Sequence, residues 1–220
     1  MANRSLNPEW RLETLVPRRR DDAVALAAGF AAGATLIGIV VAGIVASGHG
    51  SLARQPGLGG VKAVVGGLVL FVADGVLEEA VFRGVVFATV QQGRGPLAAI
   101  LVSSALFSLS HVGNPHVTVL ALVGLFGGGL VYAGVRLWTR GLLAPLGIHV
   151  GWNLFEASVF GASVSGMTRR SMFKLLPHGA PLWTGGGFGP EASIVAVFTR
   201  TLAGVLVVSW ALHHVARNPA

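Results

Sequence analysis

Three groups of residues in this chain have types and spacings that could do chemistry together. The first is Glu78-Glu79-Ala80-Val81-Phe82-Arg83, set in an apolar stretch that begins at Val61. Carboxylates are costly in lipid and survive there mainly when they face a protein interior and do work. Glu79 and Arg83 are four apart, so on a helix they share a face and can pair. Glu78 lies about 100° around the same helix, with Asp74 one turn before it. That pairing leaves Glu78 without an obvious local partner, free to exchange a proton with water. The second group is Phe107-Ser108-Leu109-Ser110-His111; Ser108 and His111 form one stripe with Ser104, one turn before. The third is His149-Val150-Gly151-Trp152-Asn153-Leu154-Phe155-Glu156, with His149, Asn153 and Glu156 at i, i+4 and i+7.

Each group has a plain structural explanation. Glu79 and Arg83 could be a buried ion pair that fixes packing. His111 could be an interfacial residue near a helix end. The third stripe could be hydrogen-bond glue between helices. Glue accounts for one polar residue better than for three on one face. Combined, the groups supply a carboxylate pair, two histidines and an amide. A glutamate and a histidine can hold or deprotonate a water, or ligate a metal that does so. The second histidine and the asparagine can donate to the oxyanion of a tetrahedral intermediate. That combination is peptide hydrolysis without a covalent intermediate.

The elements that must position these residues are membrane helices. Of 220 residues, 53% are hydrophobic and only 11% charged, with a mean hydropathy of +0.70. Soluble domains run nearer about 25% charged. The fold class read from this is all-α, a polytopic membrane helical bundle of about six transmembrane helices. The apolar runs fall at 22–48, 61–90, 96–112, 117–138, 141–160 and 192–215. The second is long for one span and would cross tilted or emerge as an interfacial helix. Gln91-Gln92-Gly93-Arg94-Gly95-Pro96 after it is a strong break. Residues 161–191 form the one long loop, with a glycine-rich stretch near its end. Gly29-x-x-x-Gly33 and Gly124-x-x-x-Gly128 each put two small residues on one face, a signal for close helix packing.

The chain therefore divides into a cytoplasmic N-terminal segment (1–21), one membrane helical domain (22–215) and a C-terminal tail (216–220). The run after Arg18-Arg19-Arg20 is too long for the apolar part of a signal peptide and fits a spanning helix. Arg4, Arg11 and Arg18 to Arg20 place the N-terminus in the cytoplasm, and six spans return the C-terminus there. Arg169, Arg170 and Lys174 then fall outside, against the positive-inside rule. The formal net charge of +7 sits mostly at the ends of apolar runs, where it meets lipid headgroups. No basic-aromatic module points to nucleic acid. Cysteine is absent, which removes disulfides, thiolate metal sites and a cysteine nucleophile.

Competing catalytic motifs fail. There is no His-Glu-x-x-His helix and no Gly-x-Ser-x-Gly. Gly161-Ala162-Ser163 resembles part of a rhomboid-type serine motif, with His213 and His214 as candidate bases. Ser163, however, lacks the glycine that should follow it.

Glu-Glu-x-x-x-Arg, Phe-x-x-x-His and His-x-x-x-Asn, in this order on successive membrane segments, resemble the CPBP family. These are the intramembrane CAAX-processing and bacteriocin-processing proteases, also called the Abi family, and they include the type II CAAX prenyl endopeptidases. The motifs here are Glu78 to Arg83, Phe107 to His111 and His149 to Asn153. Thr184 to Glu191 also resembles the stretch that often follows the third motif, so the likeness covers about residues 61–200.

The resemblance implies an all-helical membrane core whose motifs converge on a cavity. Glu78 would be the general base or a metal ligand, and His111 would work with it on the water. His149 and Asn153 would stabilise the oxyanion, while Glu79 and Arg83 would position the helix and the substrate. If the reaction is metal-dependent, a divalent ion such as zinc would sit on Glu78, His111 and His149. No organic cofactor is implied. The substrate would be a membrane-associated peptide or protein, and the setting a bacterial cell membrane. The alternative is a non-catalytic membrane protein: a bacteriocin-immunity or binding protein, or a proton-coupled carrier using the same carboxylates.

Overall fold

The computed structural model describes residues 20–56 and 59–217. In chain order the elements are α1 (Arg20–Ala46), β1 (Gly50–Arg54), α2 (Gly59–Glu79), α3 (Phe87–Leu109), α4 (Val119–Thr139), α5 (Leu143–Leu154), β2 (Phe173–Pro177), α6 (Pro181–Thr184) and α7 (Ile194–Arg217). A π-helical stretch, Ala80–Val86, joins α2 to α3, and a second, Phe155–Val159, extends α5. Most of the expected N-terminal segment, with Arg4, Arg11, Arg18 and Arg19, lies outside the described residues. So do residues 218–220 of the expected tail.

Each of the six apolar runs is helical. Four helical stretches among the described residues are long and apolar enough to cross a membrane: 21–46, 60–109, 119–139 and 194–217. The second holds two of the expected runs, because the helix bends sharply inside it. Gly95 has φ 81° and ψ 174°, and Pro96 follows. Proline bars the residue before it from helical backbone, and glycine alone accepts the left-handed φ without strain. The run at 141–160 becomes α5 and its π-helical extension, 143–159. At about 1.5 Å per residue that is somewhat short of a full hydrocarbon core.

Burial sorts these helices into an interior and a shell. Over its most apolar stretch α4 is 72% buried, against 22–28% for the other three. Every residue of α5 that the cavity does not expose is buried too. The outer helices instead present apolar side chains such as Val69, Leu101, Phe198 and Leu206, as lipid-facing surfaces do. α1 lies along α5, and α7 lies along α4.

Glycine sets how closely α1 meets α5. A Cβ at Gly29 or Gly33 would strike the Ala144 or Ile148 carbonyl oxygen. Gly147 and Gly151 on α5 return the contact against the Leu26 and Phe30 carbonyls. The expected packing role of Gly29-x-x-x-Gly33 is thus realised with a matching pair on the partner. This contact also fixes the rotation of α5. Two residues along a helix turn it about 200°, so pinning Gly147 and Gly151 to α1 points His149 and Asn153 the opposite way.

Outside the helices, β1 and β2 pair antiparallel from Gly50↔Pro177 to Arg54↔Phe173. The pairing ties the connection after α1 to the long loop before α7. This two-stranded sheet sits beside an otherwise helical set of named elements among the described residues. Gly33→Leu should destabilise the protein by about 1–3 kcal/mol through overpacking, read as a lower unfolding midpoint in detergent micelles. Gly38→Ala is the control, since nothing lies within reach of its added methyl; its midpoint should not fall.

Candidate active site

The three motifs converge on one cavity of about 440 Å³. Glu78, His111, His149 and Asn153 all line it. Glu79 and Arg83 lie behind its wall with no exposed surface. The adjacent acids therefore occupy different environments, as their 100° offset on the helix requires.

Glu79 is the structural acid. Its Oε1 accepts from Arg83 Nη1 at 3.2 Å and meets His149 Nδ1 at 3.0 Å. Arg83 Nη2 donates to the Gly129 carbonyl at 3.4 Å, and its guanidinium lies over the rings of Phe107 and Tyr132 at 4.5 and 4.9 Å. These contacts offset part of the desolvation cost of a charge in a dry setting. Among the described residues Glu79 Oε2 and Arg83 Nε are left without partners.

Glu78 is the accessible acid, with 32% of its side chain exposed. Its Oε2 stands 3.4 Å from His149 Nε2 and its Oε1 3.9 Å from His111 Nε2. Those spacings are longer than good hydrogen bonds, and all three groups face the same cavity. His149 thus has a carboxylate at each ring nitrogen. Tyr132 stacks flat on it, with ring centroids 5.0 Å apart and planes at 12°, while Phe107 meets it edge-on at 5.8 Å.

The orientation of His111 is set by backbone. Its Nδ1 lies 2.9 Å from the Phe107 carbonyl oxygen. A carbonyl only accepts, so Nδ1 carries a proton and Nε2 is the nitrogen turned toward Glu78. Ser110 Oγ donates to the same carbonyl at 2.7 Å. Asn153 is half-buried, faces the cavity and makes no hydrogen bond within the described residues.

Not every member of the sequence stripes reaches the cavity. Beyond Leu154 the helix widens into its π-helical turn, which breaks the 3.6-residue register. Glu156 accordingly accepts from Trp152 Nε1 at 2.6 Å and is fully buried away from the site. Ser108 donates to the Leu122 carbonyl at 2.6 Å, a packing contact. Ser163 lies in the loop after α5, whereas His213 and His214 end α7 about 30 Å along that helix from its start. The serine-protease alternative has no constellation.

A second polar group lines the cavity and was not read from the sequence. Glu191 and Arg200 pair at 2.9 Å with almost no exposure, and Glu191 Oε2 accepts from the Ser165 amide and hydroxyl at 2.9 and 3.0 Å. Gly128 leaves the space that the Arg200 guanidinium fills. A signal was present: a lone arginine in the apolar run 192–215 needs a partner, and Glu191 is the nearest acid. Tyr132 carried no comparable signal.

Among the described residues no group of three or more His, Asp and Glu side chains is arranged to hold an ion. One nitrogen of His149 is already engaged by Glu79.

Residues 60–155 match the family model described as Type II CAAX prenyl endopeptidase Rce1-like. That span contains all three motifs and ends before the Thr184–Glu191 stretch. No curated protein and no solved structure matches the chain. The likeness to CPBP proteases therefore stands over residues 60–155. With the long apolar helices it supports an integral membrane protein with CAAX-protease-type hydrolase activity.

Arg200→Met should cost about 3–5 kcal/mol, because it strands the buried Glu191 carboxylate. Adding Glu191→Met should recover part of the loss. Unfolding of the single and double variants in mixed micelles reads both values.

Proposed function

We propose that the protein is an intramembrane endopeptidase in which Glu78 activates a water against a peptide carbonyl. The observation that carries this reading is the placement of Glu78, with two imidazole nitrogens at 3.4 and 3.9 Å on the wall of one cavity.

In the proposed reaction a water sits between Glu78 and His111, accepted by the carboxylate and by the His111 Nε2 lone pair. Glu78 takes one proton as the water oxygen bonds to the carbonyl carbon, and the carbonyl π electrons move onto oxygen. Asn153 Nδ2 and His149 Nε2 donate to that oxyanion. With Nδ1 donating to Glu79, His149 is a donor at Nε2 only as the doubly protonated ring. Collapse of the intermediate breaks the C–N bond, and the proton held by Glu78 passes to the leaving nitrogen. Glu79 and Arg83 touch no reacting atom in this scheme. Glu79 orients His149, and Arg83 neutralises Glu79.

The substrate class is a membrane-associated peptide or protein, consistent with a cavity walled by membrane helices. Detergent-solubilised protein incubated with a proteome-derived peptide library should yield new termini by mass spectrometry. Glu78→Gln should lower that cleavage by at least about 10²-fold, with an unfolding midpoint close to the parent. Asn153→Ala should lower kcat by about 10²–10³-fold with KM little changed. Chelation by 1,10-phenanthroline should leave the rate unaltered. If Glu78→Gln cleaves normally, the acid is no catalyst and the carrier or binding reading replaces this one.

A further inference from the structure

Tyr132 is the chain's one tyrosine, beside eleven phenylalanines. Only 2% of it is exposed, yet it lines the catalytic cavity. The helix period of α4 accounts for the placement. Leu125, Gly128 and Tyr132 fall at i, i+3 and i+7 and so share a face. Leu125 lines the cavity as well, and the Arg200 guanidinium fills the space over Gly128.

The ring and the hydroxyl of Tyr132 have different surroundings. The ring stacks on His149 at 5.0 Å, meets Phe107 edge-on at 5.8 Å and lies under the Arg83 guanidinium at 4.9 Å. All three contacts belong to the ring, and a phenylalanine would keep them. The hydroxyl is what sets this position apart from the other aromatic ones. Among the described residues it makes no hydrogen bond, and it is not sealed inside the protein as Ser104 Oγ is. A buried tyrosine hydroxyl normally has a partner, because an unpaired one forfeits its hydration. Here the side open to a partner is the cavity.

The chemistry of that partner follows from the hydroxyl. A phenol keeps its proton at neutral pH and so offers a donor. The nearby Glu191 carboxylate is occupied by Arg200 and by Ser165. The acceptor that every residue of a peptide carries is its backbone carbonyl. The rings of Tyr132 and His149 are 5.0 Å apart, and an extended peptide advances about 3.3 Å per residue. The hydroxyl therefore serves a carbonyl close to the one that His149 serves.

We propose that Tyr132 contacts the substrate, its hydroxyl donating a hydrogen bond to a backbone carbonyl oxygen of the peptide at the cleaved bond or within about two residues of it. The inference rests on the endopeptidase reading and adds a contact to that site. Two carbonyls fit. At the scissile one, Tyr132 joins His149 and Asn153 around the oxyanion. At a neighbouring one, it fixes the register of the peptide.

The test removes the hydroxyl alone, with Tyr132→Phe in the full chain in dodecyl maltoside micelles. A fluorescein-labelled Ala/Leu decapeptide with a central phosphonamidate is titrated by anisotropy. Tyr132→Phe should bind it about tenfold more weakly than the parent. The unfolding midpoint should not fall, since the hydroxyl has no partner among the described residues to lose. A lower midpoint would assign the hydroxyl a structural role and overturn the proposal. Equal probe affinity in the two chains, or no probe binding to the parent, overturns it as well. Cleavage of library peptides then identifies the carbonyl. A kcat lowered by about 10²-fold with KM held assigns the scissile one. A raised KM with kcat held assigns a neighbour. Unaltered kcat and KM overturn the proposal and leave the endopeptidase reading standing. Hydroxyl-dependent probe binding without any library cleavage by the parent does the reverse: the endopeptidase reading falls, and Tyr132 remains a peptide contact.

Discussion

Burying the Glu79 carboxylate in a membrane bundle costs several kcal/mol of desolvation, and the arrangement of the site follows from how that cost is offset. Arg83 supplies the charge from one turn away. His149 supplies the second contact from another helix. Because the imidazole is held at Nδ1, its Nε2 can only point into the cavity, where Glu78 waits. The same buried acid thus anchors its own helix, orients a histidine on α5, and leaves its sequence neighbour free. Phe107 and Tyr132 complete the holding set: Tyr132 stacks on His149, Phe107 meets it edge-on, and both rings lie under the Arg83 guanidinium.

That anchoring works only if α5 is rotated correctly, and the rotation is a packing result. Gly147 and Gly151 press against α1 backbone, so the face that carries His149 and Asn153 is the one left to the cavity. A side chain on the α1 face would push the helices apart and move both donors. The apolar shell and the polar site are therefore coupled: close α1–α5 contact, which involves no catalytic group, sets where the oxyanion donors stand. The cavity's other end is built on a separate buried pair, Glu191 with Arg200. That pair holds Ser165 and the loop that carries Arg169.

Much of this was legible in residue spacing. The Glu79–Arg83 pair needs only the helix period, and the isolation of Glu78 follows from it. The break at Gly95-Pro96 is written in two residues. His149 and Asn153 share a face because they are four apart within regular helix. The failures share one cause, which is loss of that regularity or contact across long sequence distance. Glu156 was placed on the catalytic stripe because the count assumed 3.6 residues per turn, and the π-helical widening at Phe155 turned it toward Trp152. Glu191 and Arg200 are joined through a loop and a helix start, where no period applies. The strands β1 and β2 are five residues each, with mixed polarity and partners far apart in sequence, so neither has a pattern that marks it.

The central claim is that one water-derived oxygen is held by Glu78 and His111 while the substrate oxyanion is held by His149 and Asn153. The most direct measurement is an experimental structure with a phosphonamidate peptide, whose tetrahedral phosphorus carries both oxygens at once. The account predicts one phosphoryl oxygen within about 3 Å of Glu78 and His111 Nε2, and the other within about 3 Å of His149 Nε2 and Asn153 Nδ2. A phosphonamidate seated elsewhere, or one whose oxygens are bridged to Glu78 by a bound metal ion, would contradict it.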